Sequence, residues 1–379
     1  MVLPDDERTI CLTGGPARSG PRALLCYLVE SFDPLLDPSQ LRSHSNLWQC
    51  RRMAEVLQER GYAVDVTQWR NPTPPDPTAY DLVLGVGRSF ELAARARRPD
   101  AKALYYGTGT YYEQTNRAVL RRCREVRRRT GAPIEAPLLP RDEGIRHADA
   151  ALVVGNSWTI ETYGRRGAGP RLESRNTIVD DVIPRDEASP PADPTRFVWM
   201  AAYGALRRRL DLVLEVFERR PDLSLTVCGN VRADKAFFHY FGERLEATPN
   251  VDFRGWMDVG SPEFREMAAT HGWLLYPSVS DGQPGSVINA MAAGLVPLVT
   301  REAGIDVEPF GVVADMRSPD RIEAVVDAAA AVSPTELQDR SVAASRATFS
   351  TYTRAAFDAS LEQGLDALGL PSHRGAIGS

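Results

Sequence analysis

Residues 276–297 read Tyr276-Pro-Ser-Val-Ser-Asp281-Gly-Gln-Pro-Gly-Ser286-Val-Ile-Asn289-Ala-Met-Ala-Ala-Gly294-Leu-Val-Pro297. A short apolar run of strand length, Trp273 to Pro277, leads into the segment, and a second, Val296 to Thr300, closes it. Between them lies a glycine-containing loop, followed by an apolar stretch from Ser286 to Ala293 that predicts a short helix. Strand, loop, helix and strand form one βαβ unit, and such units build a parallel sheet with helices on its faces. The loop is also where chemistry is expected. Free N–H groups and the positive end of a helix dipole point into it, so Gly282, Gln283, Gly285, Ser286 and Val287 are candidate partners for a diphosphate. Asn289, inside the helix on the loop side, is placed to reach a ribose hydroxyl, and Asp281 stands at the loop entrance. The competing reading is an ordinary strand-to-helix turn with Ser286 as its N-cap.

The same alternation continues in both directions. Phe197 to Ala201 predicts a strand, and Leu210 to Arg219 a helix, with Leu210, Val213, Leu214 and Phe217 at i, i+3, i+4 and i+7. Leu223 to Cys228 is a further strand and Pro262 to Thr270 a further helix. In the N-terminal half the strands are Ala23 to Val29, Ala63 to Thr67, Asp81 to Val86, Ala103 to Tyr106 and Ala150 to Val154. The helices there are Asn46 to Arg60 and the arginine-rich 116–129 segment. From Pro184 to Pro194 the apolar period is lost, which marks an interdomain linker. The expectation is an α/β protein of two Rossmann-like, doubly wound domains. The first spans residues 1–184, joined by a C-terminal helix at 352–370, and the second spans 195–345; Pro371 to Ser379 is read as a frayed tail.

Composition narrows the function classes. The chain has 379 residues and a net charge of −5, which gives no global attraction to nucleic acid. Its five cysteines are scattered and lack metal-site or C-x-x-C spacing, so they read as reduced core thiols. No apolar run approaches the roughly 20 residues that span a bilayer, and Asp5, Asp6 and Glu7 are unlike the start of a signal peptide. A cytoplasmic protein is expected. The arginines of 116–129 read either as a solvated helix face or as a peripheral contact with an anionic membrane surface. Lys102 and Lys235 are the sole lysines, so arginine stands here where other chains use lysine.

The 276–297 segment resembles the signature of retaining family 4 glycosyltransferases of the GT-B fold. These carry a carboxylate, seven intervening residues, a second carboxylate, and a helix with the A-M-A-x-G pattern followed by proline. Asp281 takes the first acidic place. Asn289 takes the second, a departure from the usual glutamate on the donor ribose. The Gly282-Gln-Pro-Gly285 loop is similar to a subgroup reading S-E-G-Q-x-G-S. Phe197 to Phe217 resembles the family's strand, loop and helix in which a lysine grips the donor phosphates. Arg208 falls on that lysine, Arg209 on a glycine, and Gly204 lies in the loop. Gly229 and Trp256 fall where the family lines its nucleotide-base pocket, although Trp256 reads equally well as a core residue. The likeness covers about residues 197–315 well.

Such a resemblance implies two domains facing a central cleft and a nucleoside diphosphate sugar held mainly by the second. A hexosyl group would pass, with retention, to a hydroxyl of a glycan, lipid-linked or small-molecule acceptor in glycan or glycolipid biosynthesis. Arg208 and Asp281 would be catalytic. Gly204, Gly229, Trp256, Gly282, Gln283, Gly285, Ser286, Val287 and Asn289 would hold the donor. No further cofactor is implied and no metal, in keeping with the lack of a D-x-D motif. In the N-terminal half, His44 in Ser43-His-Ser-Asn46 reads as a hydrogen-bond donor to phosphate or acceptor, or as helix-capping scenery. Tyr105 to Tyr112, and Gly155, Asn156 and Thr159, sit at strand ends where open α/β sheets bind ligands. Rival readings are another sugar-phosphate enzyme on the same fold, such as an epimerase or phosphorylase, and a catalytically degenerate binding or scaffold protein.

Overall fold

The computed structural model describes residues 5–12, 20–37 and 44–370. In chain order the strands are β1 (Thr9–Cys11), β2 (Arg22–Tyr27), β3 (Ala63–Gln68), β4 (Leu82–Gly85), β5 (Lys102–Gly107), β6 (Ala150–Val154) and β7 (Arg171–Ser174). They continue with β8 (Asp193–Met200), β9 (Ser224–Cys228), β10 (Val251–Gly255), β11 (His271–Tyr276), β12 (Val296–Val299) and β13 (Val312–Val313). The helices are α1 (Ser45–Glu59), α2 (Gly87–Ala96), α3 (Tyr112–Thr130), α4 (Ser157–Glu161), α5 (Leu210–Arg219) and α6 (Lys235–Ala247). After them come α7 (Pro262–Thr270), α8 (Gly285–Ala292), α9 (Pro319–Ala330), α10 (Pro334–Thr351) and α11 (Arg354–Asp366). Two compact units result. One takes the chain through Tyr111, Pro140–Arg175 and Arg354 onward; the other takes Tyr112–Leu139 and Asn176–Thr353.

The first unit holds a sheet in the order β1-β3-β2-β4-β5-β6-β7. It is parallel except for β1, which runs antiparallel to β3. Its central strands are apolar along their whole length and buried, as a sheet covered on both faces requires. Helix α11 closes one face by burying Phe357, Leu361 and Leu365 in the same core as Leu25, Val64 and Leu152. Gly364 permits this approach, since a Cβ there would crowd the Leu152 side chain. Arg52 pairs with Asp358 at 3.0 Å and Arg60 with Asp366 at 2.7 Å, tying α1 to α11.

The second unit holds a wholly parallel sheet in the order β10-β9-β8-β11-β12-β13. Helix α3 belongs to this unit, not to the first, as the expected boundary at 184 had it. The cause is a buried ion pair between Arg122 and Asp211 of α5, with Arg129 paired to Glu215 one turn further along and Val126 in the second core. The 184–194 stretch, read as a linker, is also held within this unit. Arg185 is buried there, with its guanidinium bound to the carbonyls of Pro190 and Ala268 and to Gln338. Strands β1 and β7 and helix α2 were not anticipated: β1 has three residues, β7 is the polar run Arg-Leu-Glu-Ser, and α2 opens on Gly87-Arg-Ser. Four of the cysteines are buried as expected, but Cys11 is exposed. Among the described residues no helix is long and apolar enough to cross a membrane.

Candidate functional site

In the second unit the chain leaves β8 in one direction through β9 to β10, then crosses back to β11 and continues to β12 and β13. The strand order therefore reverses between β8 and β11. Loops leaving the carboxyl ends of those two strands diverge, and that switch point is where open α/β sheets leave a binding crevice. The two loops are residues 201–209 and 277–284.

Arg208, from the first loop, is buried beneath them. Its Nε donates to the Tyr276 hydroxyl, Nη1 to the Tyr203 carbonyl, and Nη2 to Asp281 at 3.1 Å. Asp281 Oδ2 also accepts from the hydroxyls of Tyr276 and Ser278, each at 2.9 Å. Burial alone would push the Asp281 carboxyl up. The guanidinium of Arg208, joined by Arg207, outweighs it and holds the group below its ordinary value. A depressed folded-state pKa contributes stability above the unfolded value, lost as pH falls through the folded one. The stability deficit of Asp281→Asn is therefore expected to stay constant from about pH 8 to 5 and to narrow below about pH 4. Urea unfolding of both proteins across that range checks it.

Two more arginines flank this pair. Arg209 occupies the left-handed region, φ 48°, at the N-terminus of α5, which accounts for the glycine that the resemblance places there. Its Nη1 donates to the carbonyls of Pro277 and Ser278, and burial, with Arg122 nearby, brings its pKa down to about 10. Arg207 is different. Its Nη2 lies 3.7 Å from Asp281 and 29% of its side chain is exposed, while its Nε, like that of Arg209, is buried with no hydrogen-bond partner. Two guanidinium charges, those of Arg207 and Arg208, thus face the one carboxylate of Asp281 at this helix start, a surplus that an anion would relieve.

Helix α8 begins one residue before Ser286, on Gly285, with Pro284 at the cap position and no side-chain cap. The alternative reading of Ser286 as N-cap is thereby excluded. Val287 is not an open donor either, because its N–H bonds the Pro284 carbonyl at 3.0 Å. The amides of Gly282, Gly285 and Ser286 make no hydrogen bond among the described residues and stay available beside Asp281. Gln283, at φ 40°, turns away from them: its Oε1 accepts from the Asn176 amide at 2.9 Å, and its carbonyl from Asn176 Nδ2 at 2.8 Å. Asn289 is buried with Oδ1 accepting from the Val179 amide at 3.1 Å, so its oxygen is committed to the fold.

The remaining expected residues separate in the same way. Gly204, at φ 75°, lies under the side chains of Arg207 and Arg208. Gly229 is required by its φ of 143° and by the Ala201 carbonyl, which a Cβ would overlap. Trp256 does not pack in the core. It is 50% exposed at the carboxyl end of β10, and Tyr203, 63% exposed, stands at that of β8. In the first unit, Asn156 caps α4 by accepting from the Thr159 amide at 3.3 Å, and Tyr111 is buried under the Arg166 guanidinium. His44 precedes α1 in extended conformation without a side-chain cap bond, and Ser43 lies outside the described residues. Sequence reasoning missed Tyr276, Ser278, Tyr203 and Arg207, and also Thr115, whose hydroxyl meets that of Ser280 at 2.8 Å. The signal for four of them was position alone, at the last residue of a strand or in the loop after it.

No family model matches the sequence, and no curated protein matches it. Solved structures do. Over 93% of its length the chain is similar to 99% of sucrose-phosphate synthase from Thermosynechococcus elongatus, with a TM-score of 0.65 at 13% identity. The chain has the GT-B fold. Other GT-B likenesses are the lipopolysaccharide outer core galactosyltransferase WaaB and Anabaena HepE. WaaB gives a TM-score of 0.59 at 13% identity over 92% of this chain and 99% of that one. HepE, in complex with UDP and glucose, gives 0.56 at 10% identity over 92% and 100%. At such identities the GT-B likeness establishes the fold, and function rests on the site.

Proposed function

We propose that the chain is a glycosyltransferase that moves a hexosyl group from a nucleoside diphosphate sugar to an acceptor hydroxyl, of the retaining, family 4 type. The observation that carries this reading is the pairing, at one switch point, of a surplus of guanidinium charge with the open amides of Gly282, Gly285 and Ser286. A departing diphosphate gathers negative charge as the glycosidic bond breaks, and preoriented donors in a partly dry site stabilise that charge most. The proposed chemistry assigns this work to arginines and helix amides, without a metal. HepE, of the same fold, binds UDP and glucose, which supports a sugar nucleotide as donor.

Arg207 and Arg208 divide the task. Arg207, half released from Asp281, is the guanidinium free to turn toward phosphate. Arg208 reaches phosphate by exchanging its bond to the Tyr203 carbonyl, and Asp281 positions it. Trp256 and Tyr203 offer the exposed aromatic surface for the base. The test is chromatographic: purified protein, a sugar nucleotide that it binds, and a panel of glycan, lipid-linked and small-molecule acceptors. Nucleoside diphosphate released only when an acceptor is present supports transfer. Release at the same rate with water alone, or with inorganic phosphate, rejects it. A second reading, a sugar-nucleotide-binding protein without turnover, is favoured by the fully bonded Arg208 and by Asn289 in place of a carboxylate.

A further inference from the structure

Helix α3 carries Arg117, Arg121, Arg124 and Arg128 at i, i+4, i+7 and i+11, one stripe on the helix surface, with Arg127 beside it. Arg117 is paired with Glu113 at 3.2 Å. The other four, Arg121, Arg124, Arg127 and Arg128, are exposed, make no ion pair or hydrogen bond among the described residues, and line a furrow of about 630 Å³. Arg122 and Arg129, by contrast, are consumed by Asp211 and Glu215. Four like charges within two turns repel one another, and an anionic partner relieves that repulsion.

A second feature of the same unit says which partner. The chain after α3 returns along it and presents Leu138 and Leu139, 50% and 42% exposed. They are pinned there because the Leu139 amide donates to Asn116 Oδ1 at 2.8 Å and Asn116 Nδ2 donates to the Leu139 carbonyl at 2.9 Å. Unpaired guanidinium groups on α3 and exposed leucines held against Asn116 of the same helix suit a surface that is anionic outside and apolar just beneath. A nucleic acid offers the phosphates but no apolar medium for two leucines. We propose that this face of the second unit docks on an anionic lipid bilayer, with Arg121, Arg124, Arg127 and Arg128 on headgroup phosphates and Leu138 and Leu139 at the acyl boundary.

The test is cosedimentation of the full chain with vesicles of phosphatidylcholine alone or with about a third phosphatidylglycerol, at low salt and at about 0.15 M. Binding is expected to the anionic vesicles only. Replacing the four arginines together by glutamine is expected to weaken it about a hundredfold or more. Leu138→Ser with Leu139→Ser is expected to weaken it about tenfold and to leave the remainder wholly salt-sensitive. Both variants change exposed residues outside the nucleotide site, so melting temperature and nucleotide binding are expected to hold. Equal binding to both vesicle types, or no effect of the arginine changes, overturns the proposal. So does an inert leucine variant that binds duplex DNA as tightly as lipid. None of these outcomes bears on the donor site, which stands or falls by its own titration.

Discussion

Arg208→Ala is expected to lower the unfolding free energy by about 3–5 kcal/mol and to remove nucleotide binding altogether. Arg208 and Asp281 expose only 9% and 13% of their side chains, so deleting the guanidinium strands a carboxylate that burial would otherwise neutralise. The Tyr203 carbonyl and the Tyr276 hydroxyl lose their donor at the same time. Arg208→Lys separates the structural from the ligand-binding part. An ammonium retains the charge opposite Asp281 but cannot serve three directions at once, so more than half the stability is expected to return. Nucleotide affinity is expected to stay about tenfold or more below the parent. Urea unfolding followed by nucleotide titration of both variants reads the two effects apart. A fully stable Arg208→Ala protein would contradict this assignment.

Arg122→Ala is expected to be as damaging to stability, about 3–5 kcal/mol. Arg122 and Asp211 are both nearly inaccessible, and Arg122 also donates to the Leu206 carbonyl at 3.2 Å. Removing it leaves Asp211 buried against the start of α5 and unfastens α3 from the second unit. Arg121→Ala, one residue earlier on the solvent face, is expected to change stability by less than about 0.5 kcal/mol. Urea denaturation of the pair is a direct comparison of neighbours in one arginine-rich run. Equal effects would contradict the buried pairing.

That contrast also shows where sequence reading stops. Strand β11, helix α5 and strand β12 were legible because apolar spacing reports burial, and the reversal from loop to helix at Gly285 was legible from the glycines and proline before it. The allegiance of α3 was not. Arg122 among six other arginines reads as a solvated charge, and nothing local reveals that an aspartate 89 residues later waits for it. Gly229 was marked as special, but its reason, the Ala201 carbonyl just past the end of the neighbouring strand, is a tertiary fact. Gln283 and Asn289 carry the right groups at the right spacing, yet Asn176 and Val179 claim them from a segment that the sequence reading had assigned to the other domain. Arg207 and Arg208 differ by one position in sequence and by saturation in structure. Only the hydrogen-bond inventory of their guanidinium groups tells them apart.

The most direct test of the switch point as a diphosphate site is calorimetric titration of the wild-type chain with UDP, GDP and ADP, repeated on Arg207→Ala. Arg207 is partly exposed and not fully bonded, so this variant is expected to fold like the parent. Binding of one nucleoside diphosphate, weakened about tenfold or more by Arg207→Ala, is the expected result. No binding of any of the three at millimolar concentration, or binding indifferent to Arg207, would contradict it.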